Sequence, residues 1–186
     1  KQYRSANTIA RDLSLYRQGG DLLLRCAPSK EIEAARQAKN SLKKFDVKDA
    51  YSIENLLDGN DGAYEIELEI KNNGAEKMVF TLQNAKGESV LMYYDVATRQ
   101  FVMDRSDSGE TSFSRDFPAM TVAPAPDVND VKLRLFVDRS SIEAFGDGGK
   151  FVMTNLVFPS EPYNSMKFES VRGSFTVKEM NVYKLK

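Results

Sequence analysis

Apolar and polar residues alternate along much of the chain after Phe45, and the longest unbroken example runs over residues 64–70. Tyr64, Ile66, Leu68 and Ile70 fall on one side, and Glu65, Glu67 and Glu69 on the other. Successive side chains of a strand point to opposite faces, so this pattern predicts a strand with one face in a core and three glutamates in solvent. Val131, Leu133, Leu135 and Val137 repeat the pattern. Two further apolar runs follow, at 142–145 and 151–158, separated by Asp138-Arg139-Ser140-Ser141 and by Gly146-Asp147-Gly148-Gly149. Asp-Gly and Gly-Gly steps supply the positive φ angles that tight hairpins need. Residues 133–159 therefore predict a three-stranded antiparallel meander.

Other strands follow on the same grounds. Residues 78–83 and 89–95 flank Asn84-Ala85-Lys86-Gly87, a strand at 100–104 comes next, and 112–117 is a weak one. Residues 122–128 read as a connection, because Pro124 and Pro126 interrupt ladder pairing. Strands at 165–170 and 174–183 close the series. In the last, Phe175 and Val177 are out of phase with Met180 and Val182, which predicts a bulge near Lys178-Glu179. Asp104-Arg105-Ser106 and Asp138-Arg139-Ser140 each end an apolar strand and read as strand-end locks, with Asp and Ser bonding nearby backbone and Arg pairing with a carboxylate. Ten to twelve short strands at regular spacing suit an all-β fold. The expected architecture is an antiparallel two-sheet β-sandwich of jelly-roll or concanavalin-like type, with one short linker helix.

Before Phe45 the text differs. Within 1–27, Leu13-Ser14-Leu15-Tyr16 and Leu22-Leu23-Leu24 are short strands joined across Gly19-Gly20. Residues 28–44 form a linker, in which Glu31 to Lys39 is rich in helix formers, with acids first and bases last. Ile32 and Ala35 give that helix only a thin apolar face. The sandwich then occupies 45–186.

Composition narrows the chemistry. Of 186 residues, 26 are basic and 27 acidic, for a net charge of −1, and no basic stripe invites nucleic acid. No apolar run approaches the ~20 residues that span a bilayer. Cys26 is the single cysteine and cannot form an internal disulfide, so it reads as a small buried apolar residue. There is no histidine, which removes Ser-His-Asp triads and the commonest metal ligand. There is no tryptophan either, the residue best suited to stacking on a sugar face. No cofactor loop or metal set is present, since the glycines at 146–149 precede a strand rather than a helix. The chain opens Lys1-Gln2-Tyr3, without Met or a hydrophobic signal region, so an excised or processed fragment is expected.

Residues 133–159 also resemble the C-terminal β-sandwich signature of glycoside hydrolase family 32, the invertases, levanases and inulinases. The family phrase L-R-[IL]-F-V-D-R-S-S-[VI]-E-x-F stands here at 133–145, and its aliphatic strand ends at Phe158-Pro159. Asp104 to Gly109 is similar to the family's D-R-S-x-S-G phrase, and Pro28 to Glu33 to its P-x-x-E-[LI]-E linker. Residues 8–15 resemble T-[IL]-P-R-E-L-S-L, with Ala10 in place of proline and Asp12 in place of glutamate. The resemblance implies that 1–27 are the last strands of a five-bladed catalytic propeller. It also implies that the family's catalytic motifs, N-D-P-N-G, R-D-P and E-C, should be sought elsewhere. Arg115-Asp116-Phe117-Pro118 interrupts the second, and Cys26 follows Arg25 rather than a glutamate. No catalytic, cofactor or metal residue is assigned.

Three functions compete. The first is a non-catalytic module that supports its own propeller domain or builds a homo-oligomer. The second is a carbohydrate-binding module for fructan oligosaccharides, with Tyr93, Tyr94 and Tyr163 as exposed stacking aromatics and Arg105 and Arg139 as donors to hydroxyls. The third, catalysis by the chain itself, needs a carboxylate pair flanking a glycosidic bond. The first is preferred. The resemblance also implies export to the periplasm or exterior of a bacterium.

Overall fold

The computed structural model describes residues 7–186, so the first six residues of the unit expected over 1–27 lie outside it. An antiparallel hairpin comes first, β1 (Arg11–Gln18) and β2 (Asp21–Pro28), turning at Gly19-Gly20 as the sequence predicts. A 3-10 helix, Lys30–Ala35, follows, and then β3 (Arg36–Leu42). The expected helix over 31–39 is thus cut to its first half. It buries no residue, and Arg36 onward instead pairs with the last strand of the chain, so tertiary pairing overrides local propensity.

Twelve strands run from Phe45 onward: β4 (Phe45–Val47), β5 (Ala50–Ile53), β6 (Tyr64–Asn72), β7 (Lys77–Gln83), β8 (Ser89–Asp95), β9 (Gln100–Asp104), β10 (Met120–Pro124), β11 (Asp130–Asp138), β12 (Ser141–Gly146), β13 (Phe151–Leu156), β14 (Ser165–Val171) and β15 (Phe175–Leu185). They build two antiparallel sheets. One has the order β10-β9-β8-β7-β14-β5, and the other β13-β12-β11-β6-β15-β3, with β4 also paired to β15. The meander β11-β12-β13 is as expected. So is the bulge, which falls at Lys178, where the pairing of β15 with β6 slips between Val177 and Glu179.

Two local expectations change. Residues 112–117 form turns rather than a strand, and Phe117 stacks on Phe158 while Phe113 meets it edge to face. Met120–Pro124, placed partly in a connection, is an edge strand, with Pro124 at its last position, where no ladder bond is required of it.

The core lies between the sheets. Tyr64, Ile66, Leu68 and Ile70 of β6 meet Phe80, Met92, Tyr94, Phe101 and Phe168 from the facing sheet, all buried. Rings of Phe80, Tyr94, Phe168 and Phe175 meet edge to face at 5.7–6.2 Å, an arrangement that their ring quadrupoles favour. The hairpin β1–β2 is a separate two-stranded sheet. It packs outside this core, beside β12 and β13.

Candidate functional site

The acids of the meander, Asp138 and Glu143, stand apart in role. Asp138 is exposed at the end of β11 and accepts the Arg139 N–H at 2.8 Å. Glu143 points outward from β12 yet is only 4% exposed. Its Oε1 accepts the Ile9 N–H at 2.8 Å, and its Oε2 accepts Arg11 Nη2 at 2.7 Å. Thr154 of β13, its cross-strand neighbour, donates to Oε2 at 3.4 Å and accepts Arg11 Nη2 at 2.9 Å. The Arg11 guanidinium lies 5.3 Å above the Phe145 ring. A carboxylate so occupied by fixed donors ties the hairpin region to β12 and β13.

The hairpin is held at a second point. The Cys26 N–H donates to the Gly149 carbonyl at 2.9 Å, and Lys150 lies 6.0 Å from the Tyr16 ring. Gly149 has φ +91°, and a Cβ there would stand 2.2 Å from the Cys26 carbonyl oxygen, so this turn admits glycine alone. Opposite pairing puts Leu15 beside Leu24, with Leu13 and Leu22 on the same face of the hairpin. These four are 66% (Leu13), 64% (Leu15), 56% (Leu22) and 55% (Leu24) exposed. A two-stranded sheet has no core of its own, so these four leucines form an exposed apolar face.

Beyond the hairpin, the outer face of the larger sheet carries a charge network. Glu65, expected in solvent, is fully buried. Its two oxygens accept Arg36 Nε and Nη2, each at 2.8 Å, and Arg134 Nε at 2.7 Å. Arg36 also reaches Glu67 at 2.5 Å and lies 3.9 Å over the Tyr183 ring. Burial alone would lower the Arg36 pKa, but the hydrogen bonds and charges of Glu65 and Glu67 hold it above its usual value.

The residues considered for sugar contact do not converge. Tyr94 is fully buried between the sheets, and its hydroxyl pKa is pushed up by burial and then by the charges of Asp147 and Asp127. Tyr163 is 1% exposed and donates its hydroxyl to the Ser108 carbonyl at 2.5 Å. Neither offers a ring face to a ligand: strand alternation turns one of the Tyr93–Tyr94 pair inward, and Tyr163 is buried in the core cluster. Tyr93 is half-buried on the outer face of the smaller sheet, between Val79 and Val102, with Lys77 Nζ 4.8 Å from its ring. Arg105 lies over Phe117 at 4.3 Å and donates to the Phe117 carbonyl at 2.9 Å. Arg139 is exposed, donates to the Asp61 carbonyl at 3.2 Å, and lines a cavity of about 250 Å³ with Asp61, Ser160 and Pro162. Tyr163 also borders that cavity, so of the five only Arg139 and Tyr163 share a location.

A shallower groove of about 450 Å³ adjoins it, lined by Asn55, Asp58, Asn60 and Asn164. Those amides are already linked to one another: Asn164 donates to Asn55 at 2.8 Å, and Asn55 to Asp58 at 2.6 Å. Among the described residues, no group of three or more His, Cys, Asp or Glu side chains could hold a metal ion.

Comparison with known proteins shows the family to which this fold belongs. Residues 31–184 match the family described as glycosyl hydrolases family 32 C terminal. A levanase of Bacillus subtilis (strain 168) is 33% identical over 189 aligned positions, which cover 99% of this chain but 28% of that protein. A levanase of Bacillus sp. (strain L7) is 39% identical over 139 positions, 72% of this chain and 15% of its own length. Among solved structures, exo-inulinase from Aspergillus awamori superposes with a TM-score of 0.78 at 24% identity, over 95% of this chain and 35% of that one. That likeness shows the fold. The chain thus spans less than a third of the levanases it matches, and it belongs to the C-terminal β-sandwich family of the family 32 glycosyl hydrolases.

Proposed function

We propose that the chain is the non-catalytic C-terminal module of a fructan- or sucrose-hydrolysing enzyme and that it supports that enzyme's catalytic domain. The single observation that carries this reading is the leucine face of hairpin β1–β2, with Leu13, Leu15, Leu22 and Leu24 more than half exposed while the rest of the hairpin is fastened to the sandwich. That face fits a propeller sheet that continues from it, which is the arrangement expected for residues 1–27. The substrate class rests on the levanase and exo-inulinase relatives, whose names give levan and inulin as what those proteins act on. An extracellular location is supported by the relative named as an extracellular exo-inulinase. Tyr93, Arg105 and Arg139 lie at three separate places, so a fructan-binding module finds less support.

The test uses the chain alone and the chain joined to an upstream family 32 catalytic domain. The joined protein should release fructose from sucrose or levan, and the chain alone should release none. Leu13, Leu15, Leu22 and Leu24 changed together to Ser should shorten the half-life of activity at elevated temperature by about tenfold or more, since each lost apolar contact is worth roughly 1.5–3 kcal/mol when fully buried. An unchanged half-life would remove the supporting role.

A further inference from the structure

We infer that Glu143 is the positioning residue that fixes hairpin β1–β2 against the sandwich and so sets where the hairpin's leucine face stands. It comes from the most recognisable phrase of the chain, Asp138-Arg139-Ser140-Ser141-Ile142-Glu143, yet it takes no part in the sandwich core, because β12 turns it outward. Both of its oxygens are occupied at the start of the hairpin: Oε1 by the N–H of Ile9, two residues before β1, and Oε2 by Arg11, the first residue of β1. Thr154 completes the site by bonding both Glu143 and Arg11. Among the described residues, Arg11 is the one cation paired with this carboxylate.

The chemistry makes this contact directional. An apolar patch would let two sheets slide over one another, whereas a main-chain donor at residue 9 and a guanidinium at residue 11 fix the height of β1 on β12. Charge-assisted bonds of this kind are short and geometrically strict. Removing the Arg11 guanidinium while the hairpin stays docked would leave a 4% exposed carboxylate without its cation, and an unpaired buried charge is strongly unfavourable. Phe145 closes one side of the guanidinium, which stays about a quarter exposed. The Cys26–Gly149 bond anchors the second strand from a neighbouring turn, but it is a single neutral bond. Charge therefore sets position, and glycine allows approach. That the leucine face then serves a catalytic domain rests on the function proposed above.

Residue-resolved hydrogen exchange on the intact chain tests the latch. Glu143→Gln and Arg11→Met should each speed exchange of the β1 and β2 amides by about tenfold, while β6 and β11 amides stay within about twofold; the double variant should be no faster than the faster single one, because both remove one interaction. Unchanged hairpin exchange in Glu143→Gln, or independent effects that multiply in the double variant, would overturn it. Equal acceleration of the hairpin and of β6 and β11 would also overturn it, by making Glu143 an ordinary support of the sandwich. Glu143→Met, which keeps the volume without hydrogen-bonding oxygens, should give the same hairpin-limited pattern. In the joined enzyme, Glu143→Gln should shorten the thermal half-life of activity with KM for sucrose unchanged. If exchange responds and the half-life does not, the latch stands and the supporting role falls.

Discussion

Glu65 sits on the outer face of β6, where alternation puts it, and is nonetheless fully buried. Alternation reports the face and says nothing of what covers it. The covering residues come from far along the chain, Arg36 from β3 and Arg134 from β11, and the strand order alone makes them neighbours. Glu65→Ala should therefore leave two guanidinium groups without their shared carboxylate and cost about 3–5 kcal/mol, measurable in urea titrations, although a lone solvated glutamate would cost almost nothing. Asp147 makes the opposite case. Burial first, and then the nearby Asp127 charge, raise its pKa above the ordinary 3.8, against the pull of Lys132 and Lys150. A carboxyl whose folded pKa is raised costs stability above that pKa, and the cost disappears as pH falls through it toward the unfolded value. Asp147→Asn can keep the bond to the Lys132 N–H, so it should raise Tm by about 2 °C near neutral pH and leave it unchanged in acid, as thermal melts across pH would record.

Among the elements, those whose sequence and neighbours ask for the same thing were legible. The meander β11-β12-β13, the hairpin at Gly19-Gly20 and the bulge at Lys178 all follow from period-two patterning and turn residues. The shortened helix was not legible, because residues 36–39 are good helix formers that find a strand partner in β15, some 140 positions away. Nor was the loop at 112–117, whose Phe113 and Phe117 suggest a strand and instead pack against Phe158. For the candidate site, the sequence identified the phrase ending in Glu143 but not its partner, since Ile9 and Arg11 lie more than 130 positions before it. The leucine face could have been found: Leu13 and Leu15 alternate, Leu22 and Leu24 alternate, and a lone hairpin cannot cover them. Gly149→Ala should combine a strained φ with a collision at the Cys26 carbonyl. It should cost about 1–3 kcal/mol, seen as faster proteolysis within 11–28 while the sandwich remains resistant.

At the scale of the whole molecule, the two outer faces differ in kind. The larger sheet presents the Glu143 latch and the Arg36–Glu65–Arg134 network to the side where the hairpin sits, and the smaller one presents Tyr93, Val79 and Val122. Between them the buried tyrosines Tyr94 and Tyr163 fill the interior, so the aromatic content that raised the prospect of sugar stacking is largely used in packing. A fold of this kind has a core, a fastened hairpin and an uncovered apolar face, and its central claim is that this face is covered by a catalytic domain. The most direct measurement compares hydrogen exchange at residues 11–24 in the isolated chain and in the same chain joined to an upstream family 32 catalytic domain. The account predicts exchange at least about tenfold slower in the joined protein, confined to the hairpin and its borders. Identical exchange in the two would contradict it.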